Sequence, residues 1–328
     1  MIQTDFPRLL GDIGGTNARF AWQAHAAAQP SEVVAYACAN HASLLLAMRH
    51  YLEMHDKPQP VACAIGLANP ILGDRVQMTN HHWSFSISEL QSALGLQRLI
   101  VINDFTALAL SLPALTRADL RQIGGGMAVE GAPMAVLGPG TGLGVSGLFS
   151  VGTQAGFLPI NGEGGHVSLS PADDQEVAVI QRLQSRFGHA SAERALSGPG
   201  LVNLYEAACS MASAAADRLA PSDVLERALS SSDRHCTTAL ELFCSFLGGV
   251  AGNLALTLGA RGGVYIGGGI APRVVGEIER SKFRTRFEAK GRFADYLAVI
   301  PTFVIDAQMS PALLGAAKAL NQADSKGR

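Results

Sequence analysis

Short apolar runs rich in β-branched residues alternate along the chain with stretches of helical periodicity. The runs Leu9–Ile13, Phe20–Gln23, Val61–Leu67, Leu99–Ile102, Met134–Leu137, Val145–Val151, Val264–Ile266 and Thr302–Ile305 predict strands. Apolar positions three and four apart predict helices over 42–54, 87–94, 174–187, 192–196, 200–219, 222–229, 237–258 and 312–320, and a further helix opens at Asp104. Strands alternating with helices imply an α/β fold with mostly parallel central sheets. No low-complexity linker interrupts the pattern, so two domains have to divide at a hinge. The expected division is a small domain of residues 1–114 plus 306–328 and a large one of 115–305. The hinge falls at 111–118, and the chain crosses back near Asp306 so that the last helix packs on the N-terminal domain.

Composition narrows the function. A chain of 328 residues with 48% hydrophobic content has ample material for buried cores. Only 16% of residues are charged, 25 Lys+Arg against 27 Asp+Glu, and a net charge of −2 offers no footprint for nucleic acid. The five cysteines contain no C-x-x-C pair and read as reduced thiols of a cytoplasmic protein. The first strand follows Met1 too closely for a secretory leader. Between Glu130 and Glu163 the chain carries no charge, but its prolines, glycines and Asn161 argue for short strands and turns rather than a membrane span.

Two related turns carry the chemistry. Leu9-Leu-Gly-Asp-Ile-Gly-Gly-Thr16 and Ala135-Val-Leu-Gly-Pro-Gly-Thr-Gly142 each run a strand into Gly and Thr, and the first keeps an acid before it. Glycine lets backbone N–H groups approach phosphate oxygens closely, so the pair reads as a clamp on a polyphosphate. The P-loop pattern is absent. A G-x-G-x-x-G spacing at Gly142, Gly144 and Gly147 runs into a strand and not the helix that a dinucleotide fingerprint needs. A third cluster, Gly267-Gly-Gly269, ends a strand and suits either a flat adenine or close helix–sheet packing.

Asp104 follows a strand where a helix begins, which suits a carboxylate reaching a substrate hydroxyl and equally an Asn/Asp helix cap. Glu163, His166 and Glu193 form a second polar group able to read a sugar edge. Glu193 alone also reads as a solvated residue in the first turn of a helix capped by Ser191. A metal site from Glu/His/Glu lacks a further His or Cys at ligand spacing.

These residues carry a resemblance. Asp12-Ile-Gly-Gly-Thr16, Gly138-Pro-Gly-Thr-Gly142 and Gly267-Gly-Gly269 resemble the two phosphate motifs and the adenosine motif of the sugar kinase and actin superfamily. Ile102-Asn-Asp-Phe-Thr-Ala107, Gly162-Glu-Gly-Gly-His166, Ser191-Ala-Glu-Arg194 and Leu196-Ser-Gly-Pro-Gly-Leu-Val-Asn-Leu-Tyr205 resemble the bacterial ATP-dependent glucokinases nearly end to end. The cysteine-rich zinc motif of the related repressor and kinase family is missing, which places the resemblance in the zinc-free group.

The resemblance implies two actin-like, ribonuclease H-like domains with a cleft between them, and phosphorylation of glucose at the 6-hydroxyl by ATP, feeding glycolysis. A kinase for mannose or glucosamine, or a non-catalytic sugar-binding regulator, is the alternative. By resemblance Asp104 is the general base, Asn103 holds neighbouring hydroxyls, Glu163, His166 and Glu193 hold the anomeric side of glucose, and Asn80 closes the site. ATP falls to Asp12, Gly14, Gly15, Thr16, Asn17, Gly140, Thr141, Gly142, Gly268 and Gly269. Mg²⁺ travels with ATP and has no direct protein ligand, Asp12 reaching it through water. Neither Gly/Thr turn contains Lys or Arg, so the clamp relies on backbone dipoles and metal. Asn161 stands where relatives often carry Pro or Ala. A homodimer in the cytoplasm, without nucleic acid or membrane, completes the expectation.

Overall fold

A computed structural model describes residues 5–79, 81–152 and 156–325. Its contacts divide the chain into two compact units. One comprises Met1–Thr116, Val151–Asn161 and Ala307–Arg328, the other Arg117–Ser150 and Gly162–Asp306.

The first unit opens with β1 (Arg8–Ile13), β2 (Asn17–Gln23), β3 (Ser31–Ala37), α1 (Leu44–Met54) and β4 (Ala62–Leu67). A short hairpin of β5 (Arg75–Gln77) and β6 (Ser84–Ser86) follows, then α2 (Ile87–Ala93), β7 (Arg98–Asn103) and α3 (Asp104–Ser111). The main sheet has the order β3-β2-β1-β4-β7. It is mixed rather than mostly parallel: β1 is parallel to β4 and β4 to β7, whereas β1–β2 and β2–β3 are antiparallel. The Gly14–Thr16 turn itself forces this, because a three-residue connection can join only antiparallel neighbours and a parallel pair needs a crossover.

Alternation on β1 sorts the core. Leu9 and Ile13 pack with Phe20, Cys63, Ile65, Leu44, Met48 and Tyr51 on the α1 face. Leu10 faces the other way and packs with Ala21, Ala62, Ala64, Leu313, Ala316 and Leu320 of the final helix, α11 (Pro311–Ser325). Backbone approach fixes α3 between its neighbours. A Cβ on Gly315 of α11 would lie 1.6 Å from the Ala107 carbonyl oxygen, and one on Gly66 of β4 would lie 3.0 Å from the Ala107 Cβ.

The second unit begins with β8 (Leu120–Ile123), β9 (Met134–Pro139) and β10 (Leu143–Ser150). The next strand, β11 (Phe157–Asn161), belongs to the first unit and packs on α3. Helices α4 (Asp174–Phe187), α5 (Gly198–Met211), α6 (Pro221–Leu229) and α7 (Arg234–Leu258) lead to β12 (Val264–Ile266). Then come α8 (Val275–Arg280), α9 (Phe283–Glu288), α10 (Ala294–Ala298) and β13 (Thr302–Ile305). Within the unit the strands run β10-β9-β12-β13-β8, again mixed.

Helix α7 is the core element, and 72% of its most apolar window is buried. Asp233 caps its start by accepting from His235 and Cys236 N–H, and left-handed Gly259 ends it. Gly248 and Gly252 let α9 cross it backbone to backbone: a Cβ there would lie 2.1 Å from the Phe283 oxygen or 2.4 Å from the Phe287 oxygen.

Two helical expectations change. The segment 192–196 is a single 3-10 turn, Ala192–Arg194, and α5 starts at Gly198 because Ser197 accepts the Gly200 N–H as its cap, with Pro199 in the first turn. The helix expected to 219 stops at Met211, where Ala212 caps it and Ser213 turns left-handed at φ 53°.

Candidate active site

The first Gly turn closes on itself, the Gly14 N–H donating to the Asn17 carbonyl at 2.9 Å. The turn is also tied down from β3's end, where the Cys38 N–H donates to Thr16 O at 2.8 Å and the thiol to Gly14 O at 3.4 Å. Asp12 lies on the Leu10 face of β1. Its Oδ2 accepts from the Ser310 hydroxyl at 2.7 Å and from the Arg19 guanidinium at 3.3 Å. Arg19 sits directly opposite Asp12 in the β1–β2 register. Arg19 is a cation one strand across from Asp12, outside the turn sequence.

The second turn is built the same way, with the Gly140 N–H donating to Gly142 O at 2.8 Å. Gly14 and Gly140, both expected to donate to phosphate, thus use their amides inside the turns. The amides of Gly15, Thr16, Thr141 and Gly142 have no such partner among the described residues. Gly140 O accepts the Gly198 N–H at 2.8 Å, seating the start of α5 on the turn. Gly268 has φ +80°, and a Cβ there would lie 2.4 Å from the Pro139 oxygen. The Gly267 N–H donates to Leu137 O, and the Ile270 N–H to Pro139 O. The third glycine cluster therefore lies against the second Gly/Thr turn, and Gly269 N is 4.0 Å from where a Gly140 Cβ would be.

Glu193 and the Gly164–His166 turn both lie against the backbone of Leu143. The Leu143 N–H donates to Glu193 Oε2 at 2.9 Å, and a Cβ on Gly142 would strike that oxygen at 2.5 Å. Glu193 is thus half-buried against the turn and is not a solvated helix residue. Glu163 precedes the 3-10 turn Gly164–His166, and His166 is its last residue. That turn lies flat on β10, since a Cβ on Gly165 would be 2.1 Å from Leu143 O and one on Gly164 would be 2.8 Å from Val145. The Ala192 N–H donates to Val167 O at 2.8 Å, joining the two segments. Glu163 and His166 are exposed.

In the first unit, Asn103 and Asp104 share the start of α3. Asn103 Oδ1 accepts from the N–H groups of Phe105 at 2.9 Å and Thr106 at 3.2 Å, so Asn103 is the cap. Asp104 is the first helical residue, half-buried, and its Oδ1 also accepts the Phe105 N–H at 2.9 Å. Asn17 opens β2, exposed beside Thr16. Asn80 lies outside the described residues.

A glucokinase family profile matches residues 9–323. The chain belongs to the glucokinase family. A glucokinase of Aromatoleum aromaticum is 54% identical over 97% of this chain and 96% of its own length. Among solved structures, a glucokinase from an Antarctic psychrotroph superposes with a TM-score of 0.87 at 37% identity, covering 97% of this chain and 99% of that one. A Streptomyces griseus ROK family glucokinase, solved in complex with glucose and AMPPNP, shares the fold at 16% identity with a TM-score of 0.64, covering 95% and 98%. The actin-like ATPase fold is thus that of the family.

Sequence reasoning missed Arg19 and Ser310 as partners of Asp12. Arg19 was within reach, because a tight hairpin about Gly14–Thr16 pairs positions 12 and 19. Ser310 lies 298 residues away and leaves no local signal.

Proposed function

We propose that the chain transfers the γ-phosphoryl group of ATP to the 6-hydroxyl of D-glucose, with Asp104 as general base. Family membership supports the reaction, and the shared anchoring of Glu193 and the Gly164–His166 turn on Leu143, next to the Gly140–Gly142 turn in the chain, supports the site. Asn103 caps α3 through its Oδ1, and in this reading the Asp104 carboxylate accepts the 6-hydroxyl proton as the oxygen–phosphorus bond forms and the bond to ADP breaks. The transition state is loose, and what the protein supplies is alignment and charge stabilisation. The amides of Gly15, Thr16, Thr141 and Gly142 and the Thr16 and Thr141 hydroxyls suit the phosphate oxygens. Gly268 and Gly269 give adenosine a surface free of side chains.

Glu163, His166 and Glu193 read the sugar hydroxyls. Glu193 keeps Oε1 for this while Oε2 holds Leu143. Asn80 completes the sugar set by family resemblance. Asp12 fits a hydrated Mg²⁺: among the described residues its contacts are to Oδ2, which leaves Oδ1 for metal-bound water, and carboxylate oxygen is the ligand type this ion takes. Bound there with ATP, Mg²⁺ would neutralise phosphate charge. Movement about 111–118 and near Asp306 would exclude water, so that sugar and not water is phosphorylated. Five buried free thiols suit a cytoplasmic enzyme; a homodimer follows from the resemblance alone.

An assay of ATP consumption and sugar phosphate formation across glucose, mannose, glucosamine and 2-deoxyglucose tests the reading. Glucose should be preferred over 2-deoxyglucose by up to roughly 10⁴-fold in kcat/KM, because a missing hydroxyl leaves a polar partner unpaired. Equal rates on both sugars would remove the role given to Glu163, His166 and Glu193.

A further inference from the structure

Thr106 is a buried hydroxyl inside a helix, only 3% exposed. Such hydroxyls usually bond back to the carbonyl one turn earlier in their own helix. Here the Thr106 hydroxyl leaves the helix and donates to Asn161 Oδ1 at 2.7 Å. Thr106 lies two residues after Asp104, in the first turn of α3. Asn161 ends β11, two residues before Glu163, at the point where the chain passes from one compact unit into the next.

The segment around Glu163 needs anchors on both sides. After it, Gly164 and Gly165 lie flat on β10. Before it, Gly162 has no side chain, and a Cβ placed there would meet nothing within 4 Å. Glu163 itself has φ −106° and ψ 50°, in neither helix nor strand, so its backbone is not held by a regular ladder. The Asn161 carboxamide is the side-chain anchor that precedes it.

We propose that Asn161 is a positioning residue: through the Thr106 hydroxyl it ties the approach to Glu163 to the helix that begins with Asp104. The proposal rests on the kinase reading, in which both carboxylates serve the sugar. The phosphate turns have their own internal closures and neighbours, so the anchor acts on glucose and leaves ATP alone.

The test compares Asn161→Ala, Thr106→Val, the double variant and Thr106→Ser, with melting temperature as a folding control. Asn161→Ala and Thr106→Val should each lower kcat/KM for glucose about fivefold, the scale of one net hydrogen bond, with KM for ATP within about twofold of wild type. The double variant should lose no more than either single one, because both remove the same interaction. Thr106→Ser keeps the donor and should restore wild-type values. A folded Thr106→Val protein with unchanged glucose kcat/KM would overturn the anchor, as would multiplying losses or equal damage to ATP. If the wild type bound glucose yet formed no glucose 6-phosphate, the kinase reading alone would fall. Calorimetric glucose affinities of the same variants would then decide the anchor by the same fivefold loss or its absence.

Discussion

Replacing Asp104 with Asn separates a catalytic base from a helix residue, because Asn103 supplies cap contacts at the start of α3 that this substitution leaves in place. The capping contacts to Phe105 and Thr106 come from Asn103 Oδ1, so that contribution of about 1 kcal/mol stays in place in Asp104→Asn. What the helix loses is one negative charge in its first turn, worth about 0.3–1 kcal/mol. For a unit of this size that corresponds to a melting shift of at most about 4 °C. The amide also keeps an oxygen for the Phe105 N–H and for a sugar hydroxyl, so glucose affinity should change little. It cannot take a proton at neutral pH. Turnover should fall by about 10² to 10⁴, or about 2.7–5.5 kcal/mol of barrier. The assay measures glucose 6-phosphate formation beside calorimetric glucose affinity and thermal melting on the same preparation. A folded Asp104→Asn protein with near-normal turnover would refute the base assignment, and a large drop in melting temperature with proportionate loss of binding would assign Asp104 to the fold.

Gly165→Ala puts a Cβ 2.1 Å from the Leu143 oxygen, so the Glu163–His166 turn must lift off β10; KM for glucose should rise by about tenfold or more while KM for ATP changes less, and unchanged glucose kinetics would refute the convergence on Leu143. Arg286→Met leaves Glu176, 1% exposed and otherwise bonded by Ser245 and the Ala172 N–H, without its ion-pair partner, Lys290 being the other cation that its charge feels. Denaturant unfolding should show a loss of about 3–5 kcal/mol, with kcat of the folded fraction unaffected. Gly315→Ala drives a Cβ to 1.6 Å from the Ala107 oxygen and should cost about 1–3 kcal/mol or more by forcing α11 off α3, read by thermal melting. All five cysteines are buried, and burial pushes Cys236 and Cys244 up to about 12. A thiol-reactive dye at pH 8 should therefore label native protein slowly and find five thiols only after unfolding.

The difference between what the chain reveals locally and what only folding reveals follows from distance along the sequence. The Gly turns were legible because their chemistry is local: Gly14-Gly15-Thr16 and Gly140-Thr141-Gly142 each close within four residues. The buried strands β1, β4 and β9 were legible because they are buried on both faces and read as continuous apolar runs. The missed strands are the three-residue β5 and β6, too short for a pattern, β3, with no fully buried position, β8, with Arg121 and Gln122 exposed, and β11, interrupted by Pro159. An edge strand needs no apolar run, so its sequence resembles a loop. The opposite error, extending α5 through an alanine-rich stretch to 219, came from propensity overridden by tertiary contact: the Asp217 N–H turns back to the Tyr205 hydroxyl at 3.1 Å. At the site the same rule holds. Asp104 and the Glu-Gly-Gly-His segment were readable as motifs, but their supports were not, because each joins residues far apart in the chain: Glu193 to Leu143, Ser310 to Asp12, Asn161 to Thr106. A motif names the group that meets the substrate, while the geometry holding that group to within an ångström is set by partners 50 to 298 residues away. Substitutions at Asn161 and Ser310, which no motif marks, should therefore alter catalysis more than their exposed or peripheral sequence context implies.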